Sequence, residues 1–338
     1  MSTVTVDTPR RGFFGMLRDI YHERTHFDFI GRSRLWALLS GAAVTISIVA
    51  LIWSGLNLGI DFEGGTQWEL RVASGSASTQ DVRDALAGTG AADAKILILG
   101  DDGVRIQAVE LKPAQRATVT EALAEYAGVS GSEISIVDVG PTWGQQVTRK
   151  ALTALLFFFV LIGAYLTFRF EWKMALAALI AVVHDIIITA GVYAITGFEV
   201  TPATVVAFLT ILGFSLYDTV VVFDKIKENT PSVGVERGDT YSVMVNRSMN
   251  QVLMRSINTS FVAMLPVASL LIVGSGILGA VTLRDFALAL FVGLLVGAYS
   301  SIFVATPILA WLKEREPRYE ALRERASQQL ARTAPAAV

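Results

Sequence analysis

The chain has 338 residues, a formal net charge of −2, 53% hydrophobic residues and a mean hydropathy of +0.52. That apolar content exceeds what soluble domains carry, and the near balance of acids and bases excludes the strongly basic character of a nucleic-acid-binding protein. With no cysteine, a disulfide framework, a thiolate metal site and a cysteine nucleophile are excluded as well.

Segment 1–33 is basic, and Phe13, Phe14, Leu17, Ile20 and Tyr21 recur in it at helical spacing. This fits either a helix lying at a membrane surface or one packing on its own protein. The first apolar run follows without a small-residue cleavage pattern, which predicts a retained helix rather than a signal peptide. Six membrane spans are predicted, over residues 34–58, 149–168, 173–195, 202–223, 252–274 and 284–312. Each approaches or exceeds the roughly 18 apolar residues that cross a bilayer.

Between the first two spans, residues 59–146 are polar and predict a small domain. Gln67–Ala73 alternates as a half-buried strand, Ser78 to Asp81 opens a helix running to Ala87, and strands at Lys95–Leu99 and Val104–Val109 flank a turn at Asp101 to Gly103. A second helix from Pro113 to Ala127 and a strand over Glu133–Val139 complete a βαββαβ order, that of a ferredoxin-like α+β fold. Segment 224–250 reads as a polar loop containing Pro231 and Gly234, and segment 313–338 as a tail that is partly helical and then disordered.

Basic residues set the orientation. Arg32 and Arg34, Arg169 and Lys173, Lys225 and Lys227, and Lys313 and Arg315 fall on one side of an even-numbered topology. Both termini are therefore expected in the cytoplasm and the α+β domain outside it. Arg149 and Lys150 lie on the other side, as long translocated segments permit.

Asp218 stands in the apolar run Thr204–Phe223, where an ionisable side chain costs roughly 2.5–3.5 kcal/mol on insertion scales and marks function unless a partner explains it. It lies about 7 residues before the basic end of its helix, about 10 Å inside the cytoplasmic boundary. Arg255 enters the fifth span from the same side at matching depth. The two can form a pair that protonation loosens, a static pair, or no pair, with Arg255 snorkelling to headgroups. His184 and Asp185 lie deeper, in the third span, and either extend a proton path or fix helix packing. Thr210, Ser215, Thr219, Thr259 and Ser260 add hydroxyls that satisfy such charges or serve packing. Ala289, Gly293, Gly297, Ser301 and Ala305 recur every fourth residue along the sixth span, a smooth face for sliding or, better, for tight static contact.

At the outer mouth of the first span, Gly59, Asp61, Phe62, Gly64 and Gly65 stand in a run without the Gly-Lys-Ser/Thr ending of a phosphate loop, so a structural turn is expected. No zinc-protease, serine-hydrolase or intramembrane aspartyl-protease signature occurs. Neither enzymatic chemistry nor a bound cofactor or metal is therefore expected.

The run Gly59–Thr66, Arg169–Trp172, His184–Asp185, Leu209–Asn229 and Ala298–Ala305 resemble the signature segments of the SecF family, the smaller subunits of bacterial SecDF protein-export complexes. The resemblance is spread from about Phe27 to Trp311. It implies a polytopic α-helical membrane protein, one six-helix half of resistance-nodulation-division type, with a companion SecD half. It further implies assistance to the SecYEG channel and SecA-driven preproteins in the cytoplasmic membrane, with YajC and YidC as associated partners and the proton motive force, or sodium in some relatives, as energy source. In the family the residues matching Asp218 and Arg255 relay the ion. Tyr217 replaces the Asn that usually precedes the relay aspartate. The competing readings are a proton-driven exporter of lipids or small molecules on the same membrane fold, and a purely structural assembly factor.

Overall fold

A computed structural model describes residues 27–333 except 74, 101, 110, 235–238 and 278–280. The amphipathic helix expected around Phe13–Tyr21 and the disordered end of the tail lie outside the described residues. Among those described, six helices are long and apolar enough to cross a membrane. They are α1 (Ser33–Trp53), α5 (Pro141–Arg169), α6 (Trp172–Thr196), α7 (Pro202–Asn229), α8 (Tyr241–Ser269) and the pair α9 (Val281–Ser300) and α10 (Thr306–Lys313), which a wider π-helical turn over Ser301–Ala305 joins into one span.

Several boundaries differ from those read in the sequence, each for a local reason. Helix α1 stops at Trp53, before residue 58, because Ser54 and the left-handed Gly55 (φ 68°) end it. Asn57–Leu58 (β1) then pairs in parallel with Glu199–Val200 (β6), and the Asn57 amide donates to the Gly197 carbonyl at 2.7 Å. The second span starts within a helix that opens at Pro141, a residue suited to the first helical turn, ahead of residue 149. Segment 224–250 is mostly helix rather than loop, since α7 runs on to Asn229 and α8 begins at Tyr241, where Thr240 caps the Val243 N–H at 3.3 Å. Pro266 lies inside α8, which continues as a π-helix over Leu270–Ile277.

The third, fourth and sixth spans form the centre: 50%, 44% and 56% of their most apolar stretches are buried, against 11%, 6% and 11% for the first, second and fifth. The outer three therefore turn continuous apolar faces outward, among them Leu152, Leu156, Phe157 and Val160 on α5. On the side remote from the α+β domain, the buried Lys313 bonds Glu171 at the start of the third span and lies 3.3 Å from Glu316. Lys173 joins the same group, 3.1 Å from Glu316. Tyr241 and Tyr319 pack beside it with tilted rings, centroids 4.7 Å apart, docking α11 (Pro317–Thr333).

The intervening domain consists of α2 (Ile60–Glu63), β2 (Gly65–Arg71), α3 (Thr79–Ala85), β3 (Lys95–Leu99), β4 (Gly103–Ala108), α4 (Pro113–Ala127) and β5 (Ser135–Val139). Its sheet is antiparallel throughout in the order β3-β4-β2-β5, the split βαβ arrangement. Register puts Trp68 opposite Ile106 and Leu70 opposite Val104 on one face, against Val82 and Leu86 near α3 and Val119 and Leu123 of α4. Trp68 is fully buried, with its indole N–H donating to Thr120 Oγ1 at 2.9 Å. The alternate residues Gln67, Glu69, Arg105 and Gln107 form the opposite face. Alternation of this kind predicts a solvated polar face. Here β4 is buried along its whole length, because that face rests on the ends of the membrane helices.

Trp68→Ala removes the largest side chain of this core and is expected to destabilise the domain by about 3–5 kcal/mol, read as earlier thermal unfolding and faster proteolysis of the sheet in the full-length chain. Burial opposes ionisation of Glu316, yet hydrogen bonds from Lys173 and Lys313 hold its carboxyl below the ordinary range. Its contribution is therefore present above the unfolded value and is lost as pH falls through the lowered folded one. Thermal stability in detergent should fall more steeply with acidification below about pH 4.3 for the wild type than for Glu316→Gln.

Candidate functional site

Two carboxylates lie inside the central helices: Asp185 on α6, 1% exposed, and Asp218 on α7, 7% exposed. A carboxylate buried in apolar surroundings must be hydrogen-bonded or paired to be tolerated. Asp185 Oδ2 accepts from Ser215 Oγ of α7 at 2.5 Å and from Ser300 Oγ of α9 at 2.8 Å, while Oδ1 lies 3.0 Å from His184 Nδ1. Asp218 Oδ2 accepts from Ser256 Oγ of α8 at 2.5 Å and from Ser301 Oγ at 2.7 Å. Consecutive serines of the sixth span thus address different carboxylates on two different helices.

The sixth helix widens at this point. The π-helical turn begins at Ser301, and Thr306 Oγ1 donates to the Ser301 carbonyl across it at 2.9 Å. Such turns re-aim side chains relative to an ordinary α-helix and recur at functional sites. Small residues make the approach possible: a Cβ on Gly297 would meet Ser215 Cβ at 2.9 Å, and one on Gly293 would meet Ile211 Cδ1 at 2.3 Å. The stripe of small residues along the sixth span is therefore a tight contact with the fourth. Gly191 does the same for the first span, where its Cβ would meet Ser47 at 2.2 Å.

Arg255 does not pair with Asp218. It is exposed, and no ion pair within 4.0 Å joins them among the described residues. Adjacent residues of a helix point about 100° apart, so the Ser256 hydroxyl bonds the carboxylate while Arg255, beyond ion-pair distance, acts on it only through its field. Thr219 Oγ1 donates to the Ser215 carbonyl at 3.0 Å, supporting the helix rather than a charge. Thr259 Oγ1 likewise donates to the carbonyls of Arg255 and Ser256, at 2.9 and 3.0 Å. With Ser260, Tyr217, Phe214 and Leu294 it lines a cleft of about 90 Å³ that reaches Asp218. His184 stacks on Tyr299, whose hydroxyl lies 2.8 Å from Ser40 Oγ of the first span, and its buried Nε2 has no hydrogen-bond partner among the described residues.

Gly59, Asp61, Phe62, Gly64 and Gly65 belong to the other end of the membrane part. Gly65 (φ 127°) crosses so close to β4 that a Cβ would lie 2.2 Å from the Ala108 carbonyl oxygen, and Gly64 (φ 79°) ends the single turn of α2. Burial and the neighbouring Glu199 push the Asp61 carboxyl above its ordinary range, against the pull of Arg105. Sequence reasoning missed Ser256, Ser300 and Ser301 as carboxylate donors. The signal available was the Ser300-Ser301 pair in an otherwise apolar helix.

Gly297→Val should push the fourth and sixth spans apart and lower stability by about 1–3 kcal/mol, measured by thermal unfolding in detergent. Gly213→Val, at a position of α7 with open space around the added carbon, serves as the tolerated counterpart.

Residues 118–315 match the family described as protein export membrane protein SecD/SecF, C-terminal, and residues 50–75, which include Gly59–Thr66, match the SecD/SecF GG motif. The chain is 46% identical over 308 residues to protein translocase subunit SecF of Streptomyces coelicolor, covering 90% of this chain and 82% of the relative. It is 42% identical to that of Mycobacterium tuberculosis, covering 92% and 73%. The crystal structure of SecDF, a translocon-associated membrane protein from Thermus thermophilus, superposes with a TM-score of 0.78 at 32% identity over 89% of this chain; the match spans 42% of that longer chain. On the strength of a family match over residues 118–315 and relatives similar along most of their length, this chain belongs to the SecD/SecF family of protein-export membrane proteins.

Proposed function

We propose that the chain is the SecF-type subunit of a SecDF complex that uses an ion gradient across the cytoplasmic membrane to assist protein translocation through the Sec translocon. The observation that carries this is the carboxylate pair. Asp185 and Asp218 are held by hydroxyls from the fourth, fifth and sixth spans, and a cleft reaches Asp218. Hydroxyls both donate and accept, so they can hold a carboxylate that gains and loses a proton without leaving it stranded. A guanidinium partner would oppose protonation instead. Binding of a proton, or of sodium, at Asp218 would weaken the bonds from Ser256 and Ser301 and shift the packing of the helices that bear them. One elementary charge moving through 100 mV supplies about 2.3 kcal/mol, enough to displace a balanced two-state equilibrium.

In this reading both termini and the cluster around Lys313 face the cytoplasm, in keeping with the excess of Lys and Arg on that side, and the α+β domain faces the emerging polypeptide. A SecD chain supplies the other membrane half and covers part of the apolar surface left by the outer spans. SecYEG, SecA-driven preproteins, YajC and YidC are the partners the family implies. No covalent step is needed: the work is conformational.

Asp218→Asn keeps the side-chain volume and one acceptor while removing the titration. In vesicles holding the translocon and the complete complex, the stimulation of preprotein translocation by an ion gradient is expected to drop to the gradient-free level, with assembly unchanged. Full stimulation in the variant would sink the proposal. Gradients of protons alone and of sodium alone, imposed on the wild type, identify the ion.

A further inference from the structure

The polar face of the sheet ends in a buried ionic cluster. Arg105, 6% exposed, donates from Nη1 to Glu199 Oε2 at 2.7 Å, lies 3.7 Å from Asp285 Oδ2, and reaches Glu69 Oε2 at 3.4 Å. Gln107 Nε2 takes the other Glu199 oxygen at 2.5 Å. The sheet thereby binds both oxygens of a carboxylate that belongs to the membrane part. Gly59 leaves room for it, since a Cβ there would come within 2.6 Å of Glu199 Oε1. Burial by itself would weaken the hold of the guanidinium on its proton, but Glu199, Glu69 and Asp285 outweigh that and keep Arg105 fully charged.

The two membrane carboxylates in this cluster stand at the heads of two particular helices. Glu199 lies in β6, directly before the Thr201–Thr204 capping box that opens α7, and its carbonyl accepts from Thr204 Oγ1 at 3.5 Å. Asp285 lies in α9, and its carbonyl accepts from the buried Tyr193 hydroxyl at 3.1 Å. Helix α7 carries Ser215 and Asp218, and α9 leads to Ser300 and Ser301. At 1.5 Å per residue the two helix heads are roughly 20–30 Å from the carboxylate pair. A slide or rotation of the fourth span against the sixth at the pair must therefore appear at Glu199 and Asp285, where a single guanidinium touches both.

We propose that Arg105 is the positioning residue that couples the α+β domain to the ion-binding pair, by sensing the relative placement of the fourth and sixth spans through Glu199 and Asp285. This rests on the reading that Asp218 is charged and discharged in turn. A buried ion pair is weak evidence of stabilisation in itself. Its place between two moving helix heads is what distinguishes a coupling role from simple docking.

The test uses the complete complex in vesicles. The chain lacks cysteine, so spin labels on cysteines at the exposed Ser132 of the domain and Ser54 beyond the first span report the domain's position without background in this subunit. In Arg105→Met, gradient-driven ion uptake should stay at the wild-type level. The gradient-dependent change in label separation should disappear, and translocation should fall to the gradient-free rate. Exchanging the charges, Arg105→Glu with Glu199→Arg, should restore part of both. If Arg105→Met fails to assemble, Glu199→Gln, which keeps the geometry and removes the charge, is expected to show the same uncoupling. Label movement and translocation at wild-type levels in these variants would overturn the proposal, as would parallel loss of ion uptake, which marks a merely structural role. A wild-type complex that shows no gradient-dependent label movement or stimulation would instead refute the ion-coupling reading itself.

Discussion

A carboxylate placed where water is scarce must bring its own hydrogen-bond donors, and the centre of this molecule is arranged around meeting that demand twice. Asp185 and Asp218 arise on neighbouring helices, and serines from the fourth, fifth and sixth spans converge on them. Hydroxyls are short, so the helices must come close. That closeness explains why the sixth span presents Gly293 and Gly297 to the fourth, and why an added side chain there would force its neighbours to shift. It also gives meaning to the π-helical turn, which begins at the residue that reaches Asp218.

The same arrangement makes the packing conditional on charge. Hydroxyl donors stabilise an ionised carboxylate, and a neutral carboxyl or a carboxylate neutralised by a bound cation needs them in a different geometry. Because each bond joins two spans, a change at Asp218 is a change in helix packing. Packed interfaces of this kind have discrete arrangements rather than continuous ones. The central spans are locked to one another, whereas the first, second and fifth turn apolar faces outward, so displacement within the centre meets a lipid or protein boundary that can yield.

What lies between this centre and the α+β domain is not a flexible tether. The β1–β6 pairing, the close approach of Gly59 to Glu199 and the Arg105–Glu199 bond together seat one face of the sheet on the helix ends. The domain thus has two buried faces of opposite character: an apolar one under its own helices and a polar one against the membrane part. Burying polar groups demands that each be satisfied. Glu199 meets that condition with both oxygens bonded.

Much of this was legible in the sequence, for reasons that are local. Runs of about 20 apolar residues report membrane spans because the backbone must satisfy itself in lipid, and the βαββαβ order follows from period-two and period-3.6 patterns with their caps. Asp218, Asp185 and His184 announced themselves by the cost of placing ionisable groups among apolar ones. Which donors meet them did not, because depth along a helix is linear in residue number while facing depends on each helix's rotation about its axis. Depth therefore leaves pairing and snorkelling both open for Arg255 and gives no sign of Ser256. The Arg105–Glu199 contact, 94 residues apart in the chain, carried no local signal at all. By itself, then, the sequence determined the spans, the fold of the domain and the presence of buried charge, all consequences of solvation and short-range periodicity. The tertiary structure alone decided which side chains meet that charge and how the domain is joined to it, because those pairings depend on relative rotations and heights of helices that no local pattern encodes.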